Sequence, residues 1–161
     1  MQPSEIAKLI VQDVSALLSQ MEFRRRSRLF SRPLHDVVQL IQIQASQRNS
    51  QASSSFTINL GVWVPVLEQD AIPSIAGAHW RQRLGFLCPE HKDLWWQASD
   101  SASAQVAGHE LVVRLQQFGL PAMAQLPSAA SLLALWSAGT SPGLTSIQAT
   151  RYASKLKSIA M

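Results

Sequence analysis

The chain has 161 residues, 47% of them hydrophobic and 15% charged, and it contains one cysteine. This length suits one domain over 1–161 that buries roughly 70% of the surface of the unfolded chain, and one cysteine excludes an internal disulfide. The chain has no run of about 18 apolar residues that would span a membrane, and its net charge is only +4. We therefore expect a cytoplasmic protein with no membrane partner.

The first predicted element is an amphipathic helix over 4–21, which Ser4 is placed to cap. Its apolar residues recur at steps of three and four, as expected for one buried helix face: Ile6, Leu9, Ile10, Val14, Leu17, Leu18 and Met21. Polar residues, among them Lys8 and Asp13, interrupt this apolar run, so the pattern is not that of a signal peptide.

A period of two then predicts the sheet part of the domain, over about 23–97. Its first strand would cover 23–32, with three basic residues on one face: Arg24, Arg26 and Arg28. In the next strand, over 36–46, the phase slips near Leu40, so either both faces are partly buried or a β-bulge re-aims the chain. Residues 46–55 have no apolar pattern and are predicted to form a hairpin loop.

The strand over 55–64 has the clearest pattern. Apolar residues occupy every even position, while Thr57 and Asn59 occupy odd ones. This alternation predicts one face in the core and one in polar surroundings. Two further strands, over 79–87 and 93–97, are expected after an irregular connection, which makes a sheet of four or five strands.

Beyond the sheet the period becomes helical, and three helices are predicted within about 99–160. The first would end at Gly119-Leu120-Pro121, because glycine suits the left-handed position at a helix end and proline follows it well. The second covers about 128–137, and the capping box Thr145-x-x-Gln148 opens the third. The order predicts an α+β fold, with an N-terminal helix, an antiparallel, meander-like sheet and three C-terminal helices packed on one sheet face.

Several short motifs occur together in this order. They are the segment Glu22 to Arg32, Ile41-Gln42-Ile43-Gln44-Ala45-Ser46, Phe56-Thr57-Ile58-Asn59-Leu60-Gly61-Val62, Arg81-Gln82-Arg83-Leu84-Gly85, Asp93-Leu94-Trp95-Trp96 and Gly119-Leu120-Pro121. In this combination the chain resembles the uncharacterised bacterial family catalogued as domain of unknown function 4304, as far as about residue 137. The resemblance implies the fold above and brings no catalytic residues. Members often carry a cysteine where this chain has Ala78-His79, and the last helix extends beyond what many members need.

The polar face of the sheet is the first candidate site. Thr57 and Asn59 share one face of their strand, and two basic residues share one face of theirs: Arg81 and Arg83. If the two faces coincide, the sheet presents fixed donors that could hold a carboxylate or phosphate group, with Asp93 as a counter-ion. The simpler interpretation is a cross-strand ladder of ion pairs on a solvated face.

The arginine-rich segment is the second candidate. Arg24, Arg26 and Arg28 could contact the phosphates of a nucleic acid, and Trp63, on the polar face of its strand, would then be the exposed aromatic ring on which a base stacks. Arginine also guards edge strands against aggregation, and we favour that interpretation over nucleic-acid binding. A protein partner is the other use of this surface.

The third candidate, a metal site around Cys88 and His91, is rejected. Zinc needs about four ligands; these two residues would need His79 or Asp93 as guesses, and no second Cys/His pair follows. No phosphate loop, dinucleotide fingerprint or nucleophile elbow occurs either, so we predict no metal and no cofactor.

The leading function is a non-catalytic binding or protein-interaction domain. An immunity protein that guards against a toxin is one version, by analogy with other small domains. The alternative is an enzyme or binding protein for a small anionic ligand held on the polar sheet face by Arg81 and Arg83.

Overall fold

The computed structural model describes residues 1–160 and has the α+β fold that the sequence predicts. The helices are α1 (Pro3–Ser19), α2 (Ser101–Arg114), α3 (Leu120–Ala124), α4 (Ala129–Ser137) and α5 (Ser146–Ala160). The strands are β1 (Arg24–Arg26), β2 (Leu29–Leu34), β3 (Val37–Ala45), β4 (Ser54–Trp63), β5 (Trp80–Arg83) and β6 (Trp96–Ala98). The extent of the domain over 1–161 stays a prediction.

The sheet is an antiparallel meander in which β1 to β5 follow one another in sequence order. The last strand, β6, also pairs with β4: β5 pairs with residues 59–62 of β4, and β6 pairs with residues 54–56. The two short strands therefore lie end to end along one edge of β4. The β5–β6 segment (84–95) leaves the sheet between them and returns to it.

The predicted first strand over 23–32 is a hairpin, and this raises the number of strands to six. The chain turns at Ser27, whose φ of 58° lies in the left-handed region, and β1 pairs with β2 beginning at Arg26 and Leu29. Arg24 and Arg26 share a face, as predicted, but Arg28 belongs to the turn. The basic residues continue at every second position across this turn, so the pattern gave no sign of it.

The phase slip in β3 reflects burial of both faces. The register of β3 with β4 is unbroken from Val38 to Ala45, so the strand has no bulge toward β4. Leu40 and Ile41 point to opposite faces, and each is 0% exposed. Both sides of the sheet are therefore covered at this point.

The main core lies between one sheet face and the pair of helices α1 and α2, which pack against each other. The even positions of β4 are buried on this face: Phe56, Ile58, Leu60 and Val62. Each fully buried side chain of this size contributes roughly 1.5–3 kcal/mol of transfer free energy. At its N-terminus α1 is capped by Glu5, whose Oε2 accepts the N–H of Gln2 at 3.2 Å, rather than by Ser4.

The helix predicted to end at Gly119 continues into α3. The connection is a π-helical turn over Leu115–Gly119, in which the N–H of Leu120 donates to the carbonyl of Leu115. This wider turn starts a new register, so Pro121 falls in the first turn of α3, where its missing N–H is not needed. Gly119 is right-handed, with φ −71°, and its role is close packing, since a Cβ would lie 3.2 Å from a methyl carbon of Leu84.

The last two helices pack against each other, and α5 begins at the predicted capping box. Oγ1 of Thr145 accepts the N–H of Gln148 at 3.1 Å, and Oε1 of Gln148 accepts the N–H of Thr145 at 2.9 Å. The loop between α4 and α5 returns to the sheet, where the carbonyl of Pro142 accepts the N–H of Arg81.

No single helix in residues 1–160 combines the length and apolar composition needed to cross a membrane. Helices 101–124 and 129–137 meet that requirement only as a pair, across a bend of 86°.

Candidate functional site

The second sheet face, opposite α1 and α2, brings the predicted polar residues together. One cross-strand row runs from Leu29 through Gln42 and Asn59 to Arg83. The neighbouring row ends at Arg81, which pairs with Gly61. The two predicted polar faces therefore coincide.

Half of this second face is covered by the segment 65–79, which we call the covering segment. A Cβ on Gly61 would lie 3.1 Å from side-chain atoms of both Ile75 and Ala78. Trp63 is only 3% exposed and packs edge-on against His79 at a centroid distance of 5.1 Å. The stacking surface expected of Trp63 is therefore absent, because an irregular segment without periodic pattern lies over it.

The other half of the face is open and forms a cavity of about 560 Å³, which we call the amide–arginine pocket. Its polar lining consists mainly of Gln42, Gln44, Asn59, Arg81, Gln82 and Arg83. Phe86, which is 37% exposed, and Ile75 add apolar surface, and Gly143 closes one side.

Hydrogen bonds between side chains connect the floor of this pocket. Nδ2 of Asn59 donates to Oε1 of Gln44 at 2.7 Å, and Nε of Arg83 donates to Oδ1 of Asn59 at 3.2 Å. Both ends of the Asn59 amide are therefore used, which explains an amide at this position. The network holds Arg83 over the sheet.

Arg83 is also neutralised. Its Nη1 donates to Oδ2 of Asp93 at 2.7 Å, and its guanidinium lies over the ring of Trp95 at 5.3 Å from the centroid. Asp93 is thus the counter-ion of this arginine. The simpler interpretation of the sheet face expects a structural ion pair of this kind, although Asp93 lies in the β5–β6 segment and not on a strand.

Arg81 has a different environment. Its Nη1 donates to the carbonyl of Ala76 at 2.6 Å, and its backbone N–H donates to Pro142 at 3.2 Å. Gly143 lies against its side chain so closely that a Cβ there would collide with Cγ of Arg81. Within residues 1–160 no carboxylate forms an ion pair with Arg81, so its positive charge is fixed in place and uncompensated.

Thr57 does not line the pocket. It is fully buried, and its Oγ1 donates to the carbonyl of Leu94 at 2.8 Å. This bond ties the β5–β6 segment to a part of β4 that pairs with neither β5 nor β6. Thr57 therefore supports the pocket from below by fixing the segment that carries Phe86, Asp93 and Trp95.

In the arginine-rich hairpin of β1 and β2, the side chains of Arg24 and Arg26 belong to the same sheet face as this pocket. Arg26 pairs with Leu29, which begins the row through Gln42. A second cavity of about 370 Å³ is lined by residues 26–29 and 42–45; we call it the arginine-turn pocket. Arg24, Arg26 and Arg28 form no ion pair within the described part of the chain.

Of the four residues considered for a metal site, Asp93 is the counter-ion of Arg83, and the other three have surroundings of their own. His79 is fully buried and its Nδ1 accepts the N–H of Val64 at 2.9 Å; burial lowers its pKa to about 4, Glu68 opposes that shift and Lys155 adds to it. Burial raises the pKa of the Cys88 thiol. His91 Nδ1 lies 2.8 Å from the carbonyl of Phe86. Across residues 1–160 no cluster of three such side chains could hold a metal ion.

Sequence reasoning missed several lining residues. Gln42 and Gln44 alternate with isoleucine in β3, so the same period-two argument applied to that strand would have placed them beside Asn59. Phe86 and Gly143 belong to irregular segments, and no periodic signal marks them. Their positions depend on long-range packing.

Fold and site together define an α+β domain whose antiparallel sheet carries a pocket of amides and arginines. The family model described as domain of unknown function (DUF4304) matches residues 14–125. This is well over half of the chain, and the protein belongs to that family. Comparisons with curated proteins and with solved structures gave no match. The family match ends before α4, so Pro142 and Gly143, which hold Arg81, come from outside the matched region.

Proposed function

We propose that this protein is a binding domain for an anionic ligand, and that the amide–arginine pocket takes the ligand's carboxylate or phosphate group. The observation that carries the proposal is the state of Arg81. A guanidinium that already donates to Ala76, on a side chain packed against Gly143, loses little freedom when it binds an anion. Its planar fork matches carboxylate and phosphate oxygens, and charge-assisted hydrogen bonds of this kind are the strong ones.

The chemistry of the lining favours binding over catalysis. Guanidinium and amide groups keep one protonation state near neutral pH, so they hold an anion well but do not exchange protons with a substrate. The carboxylate of Asp93 is bonded to Arg83 at 2.7 Å and is not part of the lining. A binding role requires no change in the protonation of any of these groups.

The size and walls of the pocket suggest the rest of the ligand. A volume of about 560 Å³ lies in the range of small-molecule sites. The amide of Gln42 offers hydrogen bonds to a polar body, and the exposed ring of Phe86 offers apolar contact. The ligand that these groups suit is a small molecule or chain end with one anionic group and a mixed body.

The competing interpretation, a ladder of structural ion pairs, accounts for one arginine and not the other. Arg83 with Asp93 is such a pair. Arg81 is equally close to the pocket and is held by carbonyl oxygens instead of a carboxylate. This difference between the two arginines supports a ligand as the missing anion.

The test is a titration of the ¹⁵N-labelled protein with acetate and with inorganic phosphate at low salt. We expect shifts of amide signals around the pocket, and an affinity at least about fivefold weaker in Arg81→Gln. The matched control is Arg25→Gln, which removes the same charge from β1 on the other face, opposite Phe30. Equal affinities for Arg81→Gln and the wild type would refute the proposal.

We also propose that the domain works in the cytoplasm. Cys88 is the single cysteine of the chain and is free, which suits a reducing compartment where disulfides are rare. Fractionation of the source cells with an antibody against the protein would test this location.

A further inference from the structure

The two pockets on the second sheet face adjoin each other. The amide–arginine pocket and the arginine-turn pocket are both lined by Gln42 and Gln44. These two side chains stand on β3, the central strand between the pockets. We call the combined feature, which crosses from β1 to β5, the cross-sheet groove.

The charges of the groove lie at its ends. Arg26 and Arg28 line the β1 end. At the β5 end, the arginine without a carboxylate partner among the described residues is Arg81, because Arg83 is paired with Asp93. The cross-strand row from Arg26 to Arg83 connects the two ends. The middle of this row consists of neutral side chains, with the amides of Gln42 and Asn59 at its centre. The groove is therefore basic at both sheet edges and uncharged between them.

The distance between the ends follows from sheet geometry. Four strand spacings of about 4.8 Å place β1 and β5 roughly 19 Å apart. An extended polypeptide rises about 3.3 Å per residue, so about seven residues cover this distance.

We propose that the cross-sheet groove binds an extended acidic peptide segment of about seven residues, with carboxylates near both ends and neutral residues between. The inference deepens the proposed function, because one end of the peptide would occupy the anion site at Arg81. The amides in the middle offer both donors and acceptors, which suits the N–H and C=O groups of a peptide backbone.

A peptide suits the groove better than a nucleic acid. A nucleic acid carries a charge at every nucleotide, whereas the centre of the groove is neutral and only its ends are basic. Binding of single strands also uses aromatic platforms. In residues 1–160 the sheet-face candidate Trp63 is buried, Trp95 has the Arg83 guanidinium over its ring, and Phe86 lies at one end of the groove.

The experiment compares two capped heptapeptides of identical composition by fluorescence anisotropy at two salt concentrations. The two-ended peptide is Asp-Glu-Ser-Gly-Ser-Glu-Asp, and the one-ended peptide is Asp-Glu-Glu-Asp-Ser-Gly-Ser. We expect the two-ended peptide to bind at least about fivefold more tightly, because it pairs with arginines at both edges. The double variant Arg26→Gln/Arg28→Gln should remove this advantage, while the matched control Arg25→Gln should keep it.

Three results would overturn the inference. They are equal affinity for the two peptides, an equal loss in Arg25→Gln and in the Arg26→Gln/Arg28→Gln variant, or tighter binding of a heptauridylate RNA than of the two-ended peptide. The acetate titration separates this inference from the proposed function. If acetate binds and requires Arg81 while the peptides bind equally, only the inference fails; if neither acetate nor inorganic phosphate binds, both fail.

Discussion

The two halves of the second sheet face began from the same alternating pattern and ended in different environments. Trp63 and Gly61 lie under the covering segment, while Asn59, two residues earlier in β4, lies in an open pocket. The difference arises from what packs on the strand and not from the strand itself. Alternation tells which residues share a face, and the irregular segments decide which part of that face meets solvent.

The largest expected effect comes from opening the covered half. Trp63→Ala should lower the free energy of unfolding by about 3–5 kcal/mol, because it empties a buried site under the covering segment. The matched change on the open half, Phe86→Ala, should cost less than about 1 kcal/mol. Urea denaturation of both variants measures the contrast, and similar losses would mean that the two halves do not differ in burial as described.

The next effect is a dependence of stability on pH at the same covered half. Because burial lowers the pKa of His79 from 6.5 to about 4, the unfolded chain binds the proton more readily between these values. The contribution of His79 to stability should therefore be constant above pH 6.5, fall as the pH drops toward 4, and diminish by about 3 kcal/mol in total.

The variant His79→Asn isolates this contribution. Its Oδ1 can replace Nδ1 as acceptor for the N–H of Val64 but does not titrate. Its stability should stay level between pH 6.5 and 5, and decline below that as carboxylates with lowered pKa values, Glu90 and Asp100, become protonated. An undiminished slope above pH 5 in this variant would contradict the assignment to His79.

A smaller effect is expected at the open half, from Gly143→Ala. The φ of +82° at Gly143 is strained for alanine and its Cβ would collide with Arg81, so we expect a loss of about 1–2 kcal/mol and weaker acetate binding. Gly139→Ala is the control, because Gly139 has a φ of +91° and nothing within 4 Å of its Cβ position. It should show the strain without the loss of binding; an equal loss of binding in both variants would exclude the contact with Arg81 as the cause.

The smallest change in stability is predicted for Asp93→Asn. Unlike the preceding variants of the open half, this one should bind acetate more tightly. Removing an exposed ion pair should cost less than about 1 kcal/mol. It should also free Arg83 to join Arg81, so acetate affinity measured by NMR titration should rise severalfold. Unchanged or weaker binding would show that Arg83 does not contribute charge to the pocket.

The sequence predicts those residues of the candidate site that lie on strands. Alternation of side chains along strands gave Asn59 a place on the polar face of one strand and put Arg81 and Arg83 together on one face of another. Only the register of β4 with β5 shows that the two faces coincide. Arg28 was misplaced because Ser27 adopts a left-handed turn with no glycine to announce it. The covering of Trp63 was out of reach, since the covering segment has no period.

The helical region teaches the same lesson. Gly119-Leu120-Pro121 is a strong local signal for a helix end, and the π-helical turn overrides it by moving proline into a first turn. The tertiary contact of Gly119 with Leu84 helps to explain glycine there. Local rules describe what a residue tolerates, and long-range packing selects among the tolerated states.

The end-to-end arrangement of β5 and β6 has a consequence for how this site can diversify. Each of the two strands is anchored to β4 by its own register. Residues 84–95 are therefore held at both ends, and Thr57 ties Leu94 to β4 as well, while the rest of their interior lies outside the strands. That interior carries Phe86, Asp93 and Trp95, all beside the amide–arginine pocket. Insertions or substitutions there can change the rim of the pocket without shifting a strand, in the way that a variable loop changes the selectivity of a constant scaffold.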